Sequence, residues 1–205
     1  LLALLPLVCT LVCLPSLPER VPMHWNAAGE IDGWGQRSAA LLMPFMIIGL
    51  NAMFLVLPKI DPKRKNYEGT GFAKGYHAFR LIFNLFMLLM TAITLYSAYN
   101  PNALHVEMLV PAASGALLCA MGNYMPKFKH NYFVGIKTPW TLASEEVWRS
   151  THRLGGALWF WGGLLLIAVA FLLPGKAVAP ATILITSVIV FVPIGYSYLA
   201  YRKVA

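Results

Sequence analysis

The stretch GNYMPKFKHNYFVGIKTPWTLASEEVWRSTHRLGG, residues 122–156, decides how this chain is read. It is polar, aromatic and basic, yet it lies between two segments apolar enough to cross a bilayer. A passive connector there needs only a few Gly, Ser or charged residues. This one carries Tyr124, Tyr132, Phe133, Trp140 and Trp148 among two prolines, two glutamates and two histidines. An ordered element on one membrane face accounts for that composition.

The rest of the chain has the composition of a membrane protein. Of 205 residues, 59% are hydrophobic and 12% charged, against about 25% charged in soluble domains. The apolar residues gather into six runs, at 1–14, 39–57, 79–99, 104–125, 154–173 and 181–201, most of them near the ~20 residues that span hydrocarbon. The first run is short and starts without a methionine, which reads as a trimmed end. It lacks the basic flank and small-residue cleavage site of a secretory signal, so it reads as a true span. The expected fold is an all-α integral membrane protein, a single six-span membrane domain over 1–205. An ordered outer loop occupies 15–38, a basic inner loop 59–77, and the ordered inner stretch 122–156.

The net charge is +8, but its distribution argues for topology, not nucleic acid. Of 16 Lys and Arg residues, all but Arg20, Arg37 and Lys176 fall on one side of the predicted spans. The positive-inside rule makes that side cytoplasmic and puts both termini inside. The partner implied by the charge is the lipid bilayer, with no direct nucleic-acid binding. Cys9, Cys13 and Cys119 all lie in apolar runs and read as small hydrophobes. Asn51 and Asn84 are the deepest polar residues and read as interhelical hydrogen-bonding groups, while Gly115, Gly122, Gly155, Gly156, Gly162 and Gly163 predict close approach of the fourth and fifth spans.

Within the inner stretch, Thr138-Pro139 fits an N-cap followed by proline. Glu145 and Glu146 suit a helix start and pair Glu145 with Arg149. The expectation is a short interfacial cytoplasmic helix, tryptophans at headgroup depth, turning into the fifth span near Gly155-Gly156. It is either an anchor or a docking platform built from Asn131, Tyr132, Thr138, Pro139, Trp140, Glu145, Glu146, Trp148, His152 and Arg153. A faint echo links the two inner loops: Leu57-Pro58-Lys59 with Asn66-Tyr67 parallels Met125-Pro126-Lys127 with Asn131-Tyr132.

The outer loop concentrates His24, Trp25, Asn26, Glu30 and Asp32, and His105 with Glu107 stand at the outer mouth of the fourth span. These seven read as a ligand-facing surface. Their spacing lacks the tetrahedral set of structural zinc and the oxygen spacing of a calcium loop. No metal and no cofactor are therefore assigned. No nucleophile elbow, Walker loop or zincin motif occurs, so the reading is non-enzymatic. The alternative class is a small-molecule or ion transporter, or an intramembrane enzyme, using the polar residues at the outer face.

Two motifs carry a resemblance. Pro22-Met23-His24-Trp25-Asn26 with Gly29 and Asp32-Gly33 resembles the domain of unknown function at the N-terminus of SdpI-like proteins. Gly122-Asn123-Tyr124-Met125-Pro126-Lys127, Asn131-Tyr132-Phe133-Val134-Gly135-Ile136, Thr138-Pro139-Trp140, Glu145-Glu146-Val147-Trp148 and Thr151-His152-Arg153 resemble the C-terminal motif of the SdpI family. The resemblance implies a bacterial inner-membrane immunity protein acting against a secreted, membrane-active peptide toxin. It further implies signalling by holding a helix-turn-helix autorepressor at the membrane. It brings no catalytic residues.

Overall fold

The computed structural model describes residues 2–68 and 70–204. Helices dominate: α1 Leu5–Cys13, α2 Leu42–Ile60, α3 Thr70–Tyr99, α4 Val106–Tyr124, α5 Pro139–Ala143, α6 Glu145–Leu172 and α7 Gly175–Val204. Among the described residues, five helical segments are long and apolar enough to cross a membrane: Arg37–Ile60, Gly71–Tyr99, Val106–Lys127, Glu145–Leu172 and Gly175–Val204. This is a multi-pass membrane protein. The apolar segment Leu2–Ser16 is shorter, about 20 Å at 1.5 Å per residue against ~30 Å of hydrocarbon. Five crossings, not six, are therefore established by length.

The outer loop is not merely ordered but forms strands, which corrects the all-α expectation in detail. Strands β1 Arg20–Trp25 and β2 Ile31–Gln36 pair antiparallel. The turn between them is built by Asn26, whose Oδ1 accepts from the amides of Ala28 at 2.9 Å and Glu30 at 3.0 Å. Gly29 takes φ +80°, which glycine adopts without steric penalty. The base of the hairpin buries Leu17 and Val21 against Ala40, Leu95 and Ala98, which ties it to the end of α3. Tyr99 fastens α1 there too, its hydroxyl 2.6 Å from Ser16 Oγ and donating to the Cys13 carbonyl at 3.2 Å.

The predicted close approach occurs between α4 and α6. A Cβ on Gly115 would lie 2.5 Å from the Gly163 carbonyl oxygen, and one on Gly122 2.6 Å from that of Gly156. Both pairs are backbone against backbone, the geometry small residues permit in membrane helix packing. Cys119 Sγ donates to the Phe160 carbonyl between them at 3.2 Å. Asn51 and Asn84 join α2 to α3 with reciprocal amide bonds of 2.9 Å. Their second N–H groups go to the carbonyls of Ile47 and Arg80, so both amides have their donors satisfied.

The segment before α6 departs from the expected single helix. Thr138 caps α5, accepting from the Thr141 amide at 3.1 Å, but α5 stops at Ala143. Ser144, extended at φ −138° and ψ 127°, caps a new helix that runs unbroken to Leu172. The bend expected at Gly155-Gly156 is absent because those glycines are spent on packing: Gly155 against Ile136 and Gly156 against Pro126 and Gly122. The Glu145–Arg149 pair does not form either. The ion pairs among the described residues are His24–Asp32 and His105–Glu107.

Candidate functional site

The hairpin end of the bundle gathers all seven residues read as ligand-facing. His24 Nδ1 lies 2.5 Å from Asp32 Oδ1 across the strands, both exposed. Asn26 Nδ2 donates to Glu30 Oε2 at 2.9 Å, bracing the turn. His105 Nδ1 contacts Glu107 Oε1 at 3.1 Å in the first turn of α4. Gly29 rests directly on Glu107, where a Cβ would collide with the carboxylate and come within 2.9 Å of the Glu107 amide nitrogen. The hairpin turn thus sits on the start of α4.

Between the hairpin, α4 and α7 a groove of about 390 Å³ opens. Met23, Trp25, Val110, Pro111 and Ile183 give it apolar walls, and His24, Asn26 and Glu107 supply the polar margin. The groove combines a predominantly apolar lining with a few convergent polar groups, as small-molecule and peptide pockets do. Among the described residues, no three His, Cys, Asp or Glu side chains form a metal-binding group.

At the opposite, basic end the residues read as a platform divide into two sets. Asn131, Thr138, Trp148 and His152 are buried and hold the stretch together. Asn131 Oδ1 accepts from the amides of Phe133 and Val134 at 2.9 and 2.6 Å, and its Nδ2 donates to the carbonyls of Lys129 and Val134. Trp148 is 0% exposed, and its indole N–H donates to the Phe128 carbonyl at 2.8 Å. It therefore lies inside the fold, not on a lipid-facing surface. His152 stacks on Trp148 with centroids 4.0 Å apart. Its Nδ1 lies 2.8 Å from the Trp148 carbonyl and its Nε2 accepts from the Ile136 amide at 3.0 Å. One ring nitrogen donates and the other accepts, so the ring is neutral.

The second set stays at the surface. Tyr132, Pro139, Glu145, Glu146 and Arg153 are exposed, together with Arg149. Trp140 is half-buried against the Tyr198 ring of α7 at 5.0 Å.

Several residues outside the predicted platform also build this end. Asp61, 2% exposed, accepts from the Tyr67 hydroxyl at 2.8 Å and the Tyr132 amide at 3.0 Å. Tyr67 is held protonated by burial and by this bond, its pKa pushed well above the phenol range. Asn66 donates to the His130 carbonyl at 2.7 Å. Burial, reinforced by the Lys63 ammonium, holds His130 below the usual histidine pKa. Thr138 Oγ1 meets Ser197 of α7 at 3.0 Å. The echo between the two inner loops was a usable signal, because the echoing segments bond to each other.

A hairpin seated on one end of a membrane bundle, with a hydrogen-bonded knot closing the other, defines the class. Two family models cover these two parts: the SdpI/YfhL protein family over residues 127–197 and a domain of unknown function, DUF1648, over residues 1–48. Both matches fall on the parts of the chain that carry its resemblance to SdpI-like proteins. It is 21% identical to "Immunity protein SdpI" of Bacillus subtilis (strain 168), over 97% of this chain and 92% of that protein. No solved structure matches it.

Proposed function

We propose that this protein is a bacterial membrane immunity protein that captures a secreted, membrane-active peptide in the groove beneath the hairpin. The groove carries this reading. It is apolar where it faces the lipid-side residue Ile183, 67% exposed, and polar where it reaches the hairpin, so an amphipathic peptide arriving along the membrane surface meets matching chemistry. The name of the Bacillus relative supports the same role. The charge asymmetry orients the hairpin outward and both termini inward, with Leu2–Ser16 as the sixth crossing of a single membrane domain. The exposed face of Glu145, Glu146, Arg149 and Arg153 then offers a cytoplasmic docking surface for a repressor. The transporter alternative has less support, since the deep pair Asn51 and Asn84 spends its amide donors internally.

The test pairs the two faces. Ala27 is exposed at the groove lip, so Ala27→Trp blocks the groove at little cost to the fold. It is expected to abolish toxin protection at normal membrane abundance. Glu145→Lys with Glu146→Lys is expected to abolish repressor recruitment and spare protection. Full protection by Ala27→Trp refutes the groove. Joint loss of both activities in the charge-reversed protein refutes separate faces.

A further inference from the structure

A second cleft, about 710 Å³, opens at the basic end where α2 leaves the apolar zone. Lys59, Lys63, Arg64, Lys65, His130 and Glu145 line it. Four cations against two carboxylates, Asp61 and Glu145, leave the site net positive. The Asp61 oxygens are taken by the Lys63 amide at 2.7 Å, the Tyr67 hydroxyl and the Tyr132 amide. Among the described residues none of the four cations meets a carboxylate within 4 Å, the ion pairs there being the two at the hairpin end. Lys63 points its ammonium 2.7 Å from His130 Nδ1, so its close partner is a neutral ring nitrogen that can only accept. The cleft thus keeps a net positive charge that no close ion pair among the described residues offsets.

Depth identifies the missing partner. Lys59 stands in the last turn of α2, beside Ile60, which is 59% exposed. That is the level at which hydrocarbon gives way to headgroups. With α2 read as a span, the cleft opens at the level of the lipid phosphates, and its cations come from a helix end and the short turn after it.

We propose that this cleft binds an anionic phosphate group, that of an anionic phospholipid headgroup, and that the bound phosphate ties the loop after α2 to the stretch before α5. The second part follows from the lining: Lys63 and His130 belong to the two segments, and a phosphate accepting from Lys63 stabilises their contact. The site does not depend on the immunity reading, because it uses none of the groove residues.

The full chain, purified in a neutral detergent, is titrated with phosphatidylglycerol, with phosphatidylcholine and with inorganic phosphate. Binding is followed by the thermal unfolding midpoint from tryptophan fluorescence. Phosphatidylglycerol is expected to raise the midpoint saturably, and phosphatidylcholine to leave it in place. Lys59→Gln with Arg64→Gln removes two exposed cations and is expected to weaken phosphatidylglycerol binding about thirtyfold, with the lipid-free midpoint unchanged. Lys59→Arg with Arg64→Lys should restore it, while Arg20→Gln with Lys176→Gln at the hairpin end should behave as wild type. An equal response to inorganic phosphate, lost in the Gln variant, upholds the phosphate site and moves its source to free phosphate. Equal affinity of wild type and the Gln variant, or wild-type binding indifferent to salt, overturns the proposal.

Discussion

His152→Ala separates a structural knot from a docking platform. The imidazole is 1% exposed, and three things vanish with it. The Ile136 amide loses its acceptor at 3.0 Å, a loss of about 1–3 kcal/mol for a buried donor left unpaired. The stacking on Trp148 at 4.0 Å goes, about 0.5–1.5 kcal/mol beyond area burial. A void opens beside an indole that is itself fully enclosed, which adds a cavity cost. The sum is about 3 kcal/mol, on the order of 10 °C in the unfolding midpoint of a chain this size. Thermal unfolding in detergent reads the total, and hydrogen exchange at Ile136 reads the local part. Gly135→Ala should reproduce both losses. Its φ is +121° and an added Cβ would collide with His152 Nε2. Arg153→Ala, one residue along and exposed, should change stability by no more than about 0.5 kcal/mol. If His152→Ala unfolds like wild type and Ile136 stays protected, the ring is not a clamp and the knot is wrongly drawn.

Two further outcomes follow from other buried polar groups. Asn51→Leu orphans the Asn84 amide and should cost about 1–2 kcal/mol, whereas Asn51→Leu with Asn84→Leu should cost less than the two single changes added; additivity would mean the pair does not interact, and unfolding of all three variants measures it. Because the folded state holds His130 below its unfolded pKa of about 6.5, the unfolded chain binds the extra proton and stability falls as pH drops below that value. The groups facing it are Lys63, Trp148, Glu145 and Asp61. Unfolding midpoints measured from pH 7.5 downward should decline in wild type and decline less in His130→Gln.

Much of the architecture was legible because membrane helices announce themselves by apolar length, and because glycines seven residues apart on two spans have few other uses. Gly115 and Gly122 do meet Gly163 and Gly156. The hairpin was not legible as strands. Arg20–Trp25 contains a proline and a bulge between Pro22 and His24, and the inward positions of β2 are Ile31, Gly33 and Gly35, so its period-two pattern carries little hydrophobicity. The inner knot misled for a different reason. Tryptophans near a membrane exit resemble interfacial anchors, yet Trp148 and His152 are spaced i, i+4 on α6, and stacked aromatics at that spacing also form the wall of a core. Ser144 is a weaker cap signal than Thr138-Pro139 six residues earlier; the structure uses both, for two helices. Asp61 carried no motif at all, and its role depends on contacts with residues 6 and 71 positions away.

On the proposed reading, a peptide held at the hairpin must change something at the knot if it is to be felt there, and the packing limits how. Glu107, under the hairpin turn, starts α4, and α4 lies backbone to backbone on α6 through Gly115–Gly163 and Gly122–Gly156. A contact that close does not slide in small steps, since each carbonyl is seated against the opposite helix. The two helices therefore move as one body, and α6 begins at the exposed carboxylates Glu145 and Glu146. Toward α3 the same body makes side-chain contacts instead, with Phe72 edge-on to Phe128 at 5.4 Å and Gly75 facing the rings of Phe128 and Tyr124. A signal that crosses the bundle is then a displacement of the α4–α6 body against α2 and α3, with Asp61–Tyr132 as the latch between them at the basic end. Peptide binding shifts that equilibrium only by its difference in affinity for the two arrangements. Groove residues on α4, such as Val110 and Pro111, are where that difference must arise.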